Sequence, residues 1–220
     1  MAETTLKWDQ IGERTYESGV DHGVLYVMKT DGEYGEGVVW NGLTAVNESP
    51  TGGESNPQYA DNIKYLDLYS VEEFEATIEA FTYPEEFEEC DGSVTLNGLS
   101  IGQQARVPFG FSYRTRIGSD VNDDLGYKIH IIYGAKASPS EKSRSTINDS
   151  PEALNFSWSI TTTPIEVPGY SPSAHLSISS VTTDASTLQE LETILYGDGT
   201  EPARMPTPQE LVALFGATEG

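Results

Sequence analysis

The residues with the greatest capacity for chemistry lie in one short acidic segment, residues 72–92. It holds eight glutamates and one aspartate and no lysine or arginine. Paired carboxylates can serve as the acid and base of a glycosidase, and clustered carboxylates can bind cations. Nothing in the sequence marks any two of them as a pair with different surroundings, which the catalytic interpretation requires. A solvated carboxylate surface, or a wall that repels an anion, is the favoured interpretation.

Two further motifs give little support to catalysis or calcium binding. Residues 120–126 (DVNDDLG) resemble the start of an EF-hand loop, but the sixth and twelfth positions hold Leu125 and Ile131 instead of glycine and glutamate. A polar hairpin turn explains this segment better. Cys90 stands between acidic neighbours, and their charge disfavours the thiolate that a nucleophile needs.

The histidines also give no metal-binding pattern. His22, His130 and His175 are far apart in the sequence and form neither an HExxH nor an HxH motif, so a zinc site is not expected. No GxSxG motif is present, and the glycines of residues 32–37 lack the strand-to-helix setting of a dinucleotide fingerprint. We therefore expect no enzyme activity, no metal and no cofactor.

Composition favours a folded, strongly acidic protein. The 220 residues carry a net charge of −23, and 37% are hydrophobic, including twelve tyrosines, seven phenylalanines and three tryptophans. A net negative charge of this size argues against tight binding of nucleic acid. It also makes the free energy of self-association less favourable at low salt. A single cysteine excludes an internal disulfide. The first ten residues lack the apolar core of a signal peptide, so we expect the protein to remain in the compartment where it is made.

Hydrophobic alternation predicts that most of the chain is β-structure. The clearest case is residues 73–82, although a helix competes because Val71, Phe74, Ile78 and Phe81 would also share a helical face. The strand is favoured because alternation holds over eight residues and a Tyr-Pro pair ends it. Its two faces would carry Phe74, Ala76, Ile78 and Ala80 on one side and Glu73, Glu75, Thr77 and Glu79 on the other. Further strands are predicted at residues 22–29, 37–46, 63–68, 109–116, 127–133, 154–160 and 175–178.

Helices are predicted only near the C-terminal end, within residues 184–216. Residues 184–196 place four aliphatic side chains on one stripe, and Thr207, Pro208 and Glu210 form a capping box that opens a second helix. Residues 47–62 are too polar and too rich in glycine and proline to form core, so we expect a long loop there. We expect residues 1–220 to form a single α+β domain, mainly β.

Charge is distributed unevenly along the chain. Residues 65–105 hold ten acidic residues and no lysine or arginine, whereas residues 106–144 hold seven of the twelve cations against four acids. An acidic block beside a mildly basic one is suited to contacts between neighbouring copies of the same protein.

Three long segments resemble one known family. They are residues 59–92, residues 106–120 and residues 123–164, and the likeness continues in order into the closing PTPQEL segment. Together they resemble the major tail protein, or tail tube protein, of long-tailed bacteriophages. The resemblance extends over nearly the whole chain.

This resemblance implies a fold and a role. It implies an antiparallel β-sandwich or barrel with a flanking α-helix and a short C-terminal helix, whose copies form six-fold rings that stack into a hollow tube. Double-stranded DNA would pass through the tube without adhering, and the partners would be other copies and tail proteins such as the tape measure and terminator. The protein would lie in the virion tail, and in the host cytoplasm before assembly, with no membrane contact.

Two groups of site residues follow from the resemblance. The acidic strand would line the tube with Glu73, Glu75 and Glu79, although an outer-surface position is equally open. The long loop, which the resemblance extends over residues 44–62, would reach the adjacent ring with Glu48, Glu54, Asn56, Gln58 and Tyr59. The alternatives are a carbohydrate-binding or adhesive β-sandwich, as a binding module or hydrolase, and a capsid decoration or head–tail joining protein.

Overall fold

The computed structural model describes residues 5–144, 146, 149 and 153–216. Strands make up 45% of the described residues and helices 13%, which confirms the expected mainly-β class with antiparallel sheets and a few helices. In chain order the elements are β1 (Thr15–Val27), β2 (Val38–Trp40), β3 (Leu43–Glu48), β4 (Ser55–Ala60), β5 (Ile63–Tyr69), β6 (Glu75–Ala80), α1 (Phe87–Asp91), β7 (Ser93–Leu96), β8 (Leu99–Gly102), β9 (Phe109–Ser119), β10 (Gly126–Ala137), β11 (Phe156–Thr162), β12 (His175–Ser179), α2 (Ala185–Tyr196) and α3 (Pro208–Gly216).

The principal sheet divides at β10. Its continuous path runs β2-β1-β9-β10-β11-β6-β3, and β12 also pairs with β10. Residues 128–132 of β10 pair with β12, whereas residues 135–137 pair with β11. Gly134 lies at this change of partner with a left-handed φ of 58°, and a Cβ there would lie 2.7 Å from the Thr163 carbonyl oxygen. Glycine is therefore required at this bulge.

An aromatic core fills the space where β6 and β11 pack against β1 and β9. Phe87 of α1 lies at its centre, with its ring centroid 4.5 Å from that of Trp40 and 5.2 Å from that of Trp158. Phe109 of β9 packs edge-on against Phe87 at 5.4 Å. Edge-on and tilted contacts of this kind are favourable for aromatic rings. The acidic segment therefore contributes an anchor to the core as well as charge to the surface.

A second core lies on the opposite face of β9 and β10, beneath α2 and α3. It contains Tyr26, Ile129, Ile131, Tyr133, Leu191, Leu195, Met205 and Leu211. The two buried phenols are satisfied by backbone carbonyls, because Tyr26 donates to Leu195 at 2.7 Å and Tyr133 donates to Pro206 at 3.0 Å. The helices thus supply both apolar cover and hydrogen-bond acceptors.

Several predicted elements are confirmed. β6 is a strand and not a helix, and its buried residues alternate with half-buried ones along its length. β9 and β10 form the expected hairpin across the polar turn. At the C-terminal end, α2 begins after the Asp184 cap, and Thr207 and Glu210 form the predicted capping box before α3.

The prediction of one polar loop over residues 44–62 is wrong for most of that span. β3 continues to Glu48 and β4 begins at Ser55, so the irregular segment is residues 49–54. β4 pairs with β5 across Asp61 and Asn62, whose φ angles are 51° and 64°. Asp and Asn tolerate this left-handed geometry, which two-residue hairpin turns require. Hydrogen bonding to β5 therefore makes a strand of a sequence that is too polar to form core.

The structure differs from the sequence-based prediction in three further places. The predicted strand over residues 37–46 is divided into β2 and β3 at Gly42, where φ is 79°. The β7–β8 hairpin turns at Asn97 and Gly98, a pair typical of such turns. α1 also lies within the acidic segment, with Phe87 and Cys90 buried.

Replacing Phe87 with alanine tests the aromatic core. We expect the free energy of unfolding to fall by about 3–5 kcal/mol, because a fully buried ring is replaced by a cavity. Phe81→Ala is the matched control, since Phe81 is 53% exposed and its loss should cost about 0.5 kcal/mol or less. Urea denaturation followed by tryptophan fluorescence measures both values. Equal effects of the two substitutions would contradict this description of the core.

The capping box of α3 predicts a pH-dependent contribution to stability. The Arg204 guanidinium, bound bidentately at 2.9 Å, holds the pKa of Glu210 below its ordinary value. The stabilisation from Glu210 is therefore fully present above pH 4.5 and is lost as the pH falls through the lowered pKa.

Glu210→Gln should consequently destabilise the protein at neutral pH, with a difference from the natural chain that shrinks on acidification. Chemical denaturation at a series of pH values measures that difference. Glu190→Gln, at an exposed position on α2, serves as the control. A difference between Glu210→Gln and the natural chain that stayed constant with pH would be inconsistent with the pairing to Arg204.

Candidate functional site

The β4–β5 hairpin projects a surface that has the character of a protein contact. We call residues 55–69 the hairpin arm. β4 and β5 pair with each other and with no other described strand. An isolated two-stranded hairpin is marginally stable in water, so contact with another surface would stabilise the arm. Its exposed large apolar side chains are Tyr59, Ile63, Tyr65, Leu66, Leu68 and Tyr69.

Four of the five residues predicted for the inter-ring loop lie on or beside the hairpin arm. Asn56 and Gln58 pair with Leu68 and Leu66, and Tyr59 is 71% exposed. Glu54 lies at the base, where its backbone exchanges hydrogen bonds with Ser70.

Glu48 does not belong to the arm. It ends β3, and its carboxylate accepts a 2.6 Å hydrogen bond from the Tyr113 hydroxyl. Including it in the loop was therefore wrong, because β3 continues further than its polar sequence indicated. Glu48 belongs to the body of the fold.

The outward face of β3, β6 and β11 is a polar surface that contains two of the three predicted acidic residues. Glu75 and Glu79 alternate with the buried Ala76, Ile78 and Ala80. The other side chains on this face are Asn47, Thr77, Ser157, Ser159 and Thr161, as the strand registers show. We call this surface the acidic face. Glu73 precedes the strand, is exposed, and forms an isolated backbone bridge with Thr51.

The carboxylates of the acidic face are held by neutral groups. Glu79 accepts hydrogen bonds from Asn155 at 2.8 Å and from Asn47 at 3.3 Å, and Glu75 accepts one from Thr51 at 3.4 Å. These partners orient the carboxylates without neutralising them, so the face keeps its negative charge. The charge of the acidic face would repel a mobile anion beside it.

A cluster of two histidines and a glutamate lies where the sheet divides. His130 Nδ1 is 3.1 Å from His175 Nε2. Glu48 Oε1 is 3.5 Å from His130 Nδ1 and 3.9 Å from His175 Nε2. We call Glu48, His130 and His175 the histidine cluster. The register of β10 and β12 produces it, because His175 pairs with Ile132, two residues from His130 and on the same side of the strand.

Aromatic rings pack on both sides of the two imidazoles. Tyr113 stacks on His130 with ring centroids 4.6 Å apart, and Phe74 stacks on His175 at the same distance. The two imidazoles are themselves parallel within 6°, with centroids 5.4 Å apart. Burial lowers the pKa of His130 and of His175, although the Glu48 charge opposes this effect at both. Both imidazoles are therefore uncharged at neutral pH.

Two of the three histidines lie side by side in the fold although no sequence motif links them. His130 and His175 are separated by 45 residues and share no local motif. The only usable signal would be the pairing register of β10 with β12, which depends on tertiary structure. His22 lies elsewhere and contacts Asp21 at 2.8 Å.

The two other candidates from the sequence are the acidic β9–β10 turn and Cys90, and the contacts of both are structural. In the β9–β10 turn, Asp120 accepts from the Gly12 amide at 2.9 Å and Asp123 accepts from the Tyr16 hydroxyl at 3.0 Å. Their carboxylates thus tie the turn to the N-terminal part of the fold. Burial raises the pKa of the Cys90 thiol to about 12, which leaves it protonated and unreactive at neutral pH.

No family model matches the chain, and no curated protein matches it. Within the described residues, the helices are too short and too polar to cross a membrane.

Proposed function

We propose that this chain is a tail tube subunit of a long-tailed bacteriophage, with a structural rather than an enzymatic role. Six copies would close into a ring, and rings would stack into the channel through which DNA leaves the particle. The observation that carries the proposal is the hairpin arm, an exposed apolar element that has no partner in the described chain. The tail-tube version of a β-sandwich is likewise part of this proposal.

Contact between rings is assigned to the hairpin arm. Six large apolar side chains on a two-stranded element far exceed the isolated exposed residues that are normal for a monomer surface. Strands of six and seven residues extend about 20 Å at 3.3 Å per residue, enough to reach a neighbouring subunit. Burial of both faces of the arm against an adjacent ring would stabilise the hairpin and the stack together.

Contact within a ring is assigned to sheet edges. β3 ends the sheet path and pairs on one side with β6, and no described strand pairs with its second edge. Along β1, the pairing with β2 is confined to residues 23–25, which leaves residues 15–21 unpaired on that side. Free edges favour pairing with another chain, and a repeated head-to-tail contact closes into a ring when its rotation permits.

The channel wall is assigned to the acidic face. DNA carries about one negative charge per 1.7 Å, and a cationic surface would bind it by releasing counterions. An anionic face rich in serine, threonine and asparagine repels the duplex and allows it to slide. Repeated around a ring, Glu75 and Glu79 would form bands of carboxylates within the bore, and Glu73 would add to them.

The first test measures assembly with and without the hairpin arm's apolar contacts. Concentrated protein should form rings or tubes, and raising the ionic strength toward about 0.1 M or above should favour them, since it screens repulsion between subunits of charge −23. Leu68→Asp should leave folding intact but abolish stacking, because a charge would be buried at the contact. Light scattering and negative-stain microscopy report both results.

Val121→Asp provides the matched control, because Val121 is 65% exposed on the distant β9–β10 turn. It should assemble like the natural chain. A monomer under all conditions, with affinity for glycans, would favour the alternative of a carbohydrate-binding or adhesive module. Tubes unaffected by Leu68→Asp would contradict the role of the arm.

The second test concerns the acidic face. In virus particles carrying Glu73→Gln, Glu75→Gln and Glu79→Gln together, tubes should form normally and DNA release should slow. Glutamine preserves the side-chain shape, and its single amide oxygen can keep the shorter hydrogen bond of position 79, the one donated by Asn155. The control changes three exposed acids near α1 to glutamine, namely Glu85, Glu86 and Glu89. Release rates that were the same in both variants would place the acidic face outside the bore.

A further inference from the structure

We propose that the histidine cluster binds one divalent transition-metal ion, with Zn²⁺ the ion best matched by its donors. Glu48, His130 and His175 are the group of potential ligands that the described part of the chain brings within 4.8 Å of one another. Two imidazole nitrogens and one carboxylate oxygen are typical of a zinc site that keeps a position open for water. This inference does not depend on the proposed function.

The spacing of the three donor atoms fits a tetrahedral ion. Zinc–nitrogen and zinc–oxygen bonds of about 2.0–2.1 Å place tetrahedral ligands about 3.3 Å apart. The separations here are 3.1, 3.5 and 3.9 Å, so an ion can enter with shifts of a few tenths of an ångström. Calcium and magnesium favour oxygen ligands, which makes both poor matches for a site with two imidazoles.

The groups around the cluster support the ligands as metal sites require. His130 turns its second nitrogen, Nε2, toward Glu17 Oε1 at 3.3 Å and Thr115 Oγ1 at 3.1 Å. A carboxylate on the far side of a ligating imidazole fixes its tautomer and strengthens its basicity. Glu17 is in turn held by Lys128 and Thr115.

The carboxylate ligand is also oriented. The Tyr113 hydroxyl donates to Glu48 Oε1 at 2.6 Å. The Glu48 side chain is 36% exposed, whereas that of His130 is 7% exposed, so an ion can enter from the Glu48 side and keep a water there.

Metal binding would connect parts of the sheet that share no backbone hydrogen bonds. Glu48 ends β3, which pairs with β6, whereas the two histidines lie on β10 and β12. The hairpin arm begins seven residues after Glu48. An ion would therefore fix the end of β3 against β10 and β12, close in sequence to the point where the arm leaves the body.

The test begins with chelator-treated protein titrated with Zn²⁺ in the presence of excess Mg²⁺ and Ca²⁺, which occupy the surface carboxylates. We expect calorimetry to show one high-affinity ion per chain. At free Zn²⁺ about 100-fold above Kd, Tm should rise by about 5–10 °C. His175→Gln and Glu48→Gln should each abolish that site, whereas the matched controls His22→Gln and Glu54→Gln should retain it.

A graded variant tests the surrounding groups. Glu17→Gln should keep the one-ion stoichiometry and weaken affinity about 10- to 100-fold, since it removes the carboxylate behind His130. Unchanged affinity in Glu17→Gln would overturn the assignment of His130 as a ligand. Circular dichroism of each variant without metal confirms that the sheet is intact.

Cobalt gives a readout that requires no variant. Co²⁺ bound by two imidazoles and a carboxylate in a tetrahedral site absorbs visible light intensely, whereas six-coordinate Co²⁺ on surface carboxylates absorbs weakly. The intense spectrum, displaced by one equivalent of Zn²⁺, would support the proposal. A weak spectrum, no tight Zn²⁺ binding, or binding that His175→Gln leaves unchanged would overturn it.

Discussion

Strand β10 changes its hydrogen-bond partner part of the way along its length, and both cores depend on that change. Its first part holds β12 beneath the helices, and its last part holds β11, which leads to β6 and β3. Gly134 makes the transition because its backbone is left-handed and closely approaches Thr163. Without this bulge, one edge of β10 could not serve two strands that continue into different layers.

The division of the sheet also determines which surfaces face solvent. The layer of β11, β6 and β3 directs its apolar residues into the aromatic core, so its polar residues point outward. That outward face gathers glutamate, serine, threonine and asparagine in adjacent registers. Negative charge is thereby concentrated on a surface that none of the three described helices covers. An anionic wall is a direct consequence of strand alternation combined with one-sided burial.

The same division places the histidine cluster, a polar group, beside a largely apolar core. Where β12 and β11 diverge, Glu48 reaches the space beside His130 and His175, and the Tyr113 hydroxyl satisfies its carboxylate. Placing these groups there costs desolvation, which also lowers the histidine pKa values. A polar group in such a place must be well paired, and the network that includes Glu17 and Lys128 provides that pairing.

Local sequence was sufficient to predict an element wherever the environment of its residues follows from their neighbours in the chain. Alternation identified β6, β9 and β10, the aliphatic stripe of residues 184–196 identified α2, and the capping box at Thr207 identified the start of α3. The strand predicted over residues 63–68 is confirmed as β5, but the first half of the hairpin arm is predicted as loop, because residues 55–60 carry no apolar alternation. Its strand character comes instead from pairing with β5. The sequence analysis does not predict α1, because glutamates dominate that segment. Phe87, the residue that packs into the core, is a single apolar residue among them.

The sequence by itself therefore determined the mainly-β class, the large negative charge, and the outward position of the glutamates on β6. Only the tertiary structure decided that Glu48 lies outside the hairpin arm, next to His130 and His175. It also decided that six apolar side chains stand exposed on a free hairpin. The physical reason is that strand registers and bulges are set by contacts distant in the chain. A shift of one residue in β12 would turn His175 to the opposite face and remove the cluster.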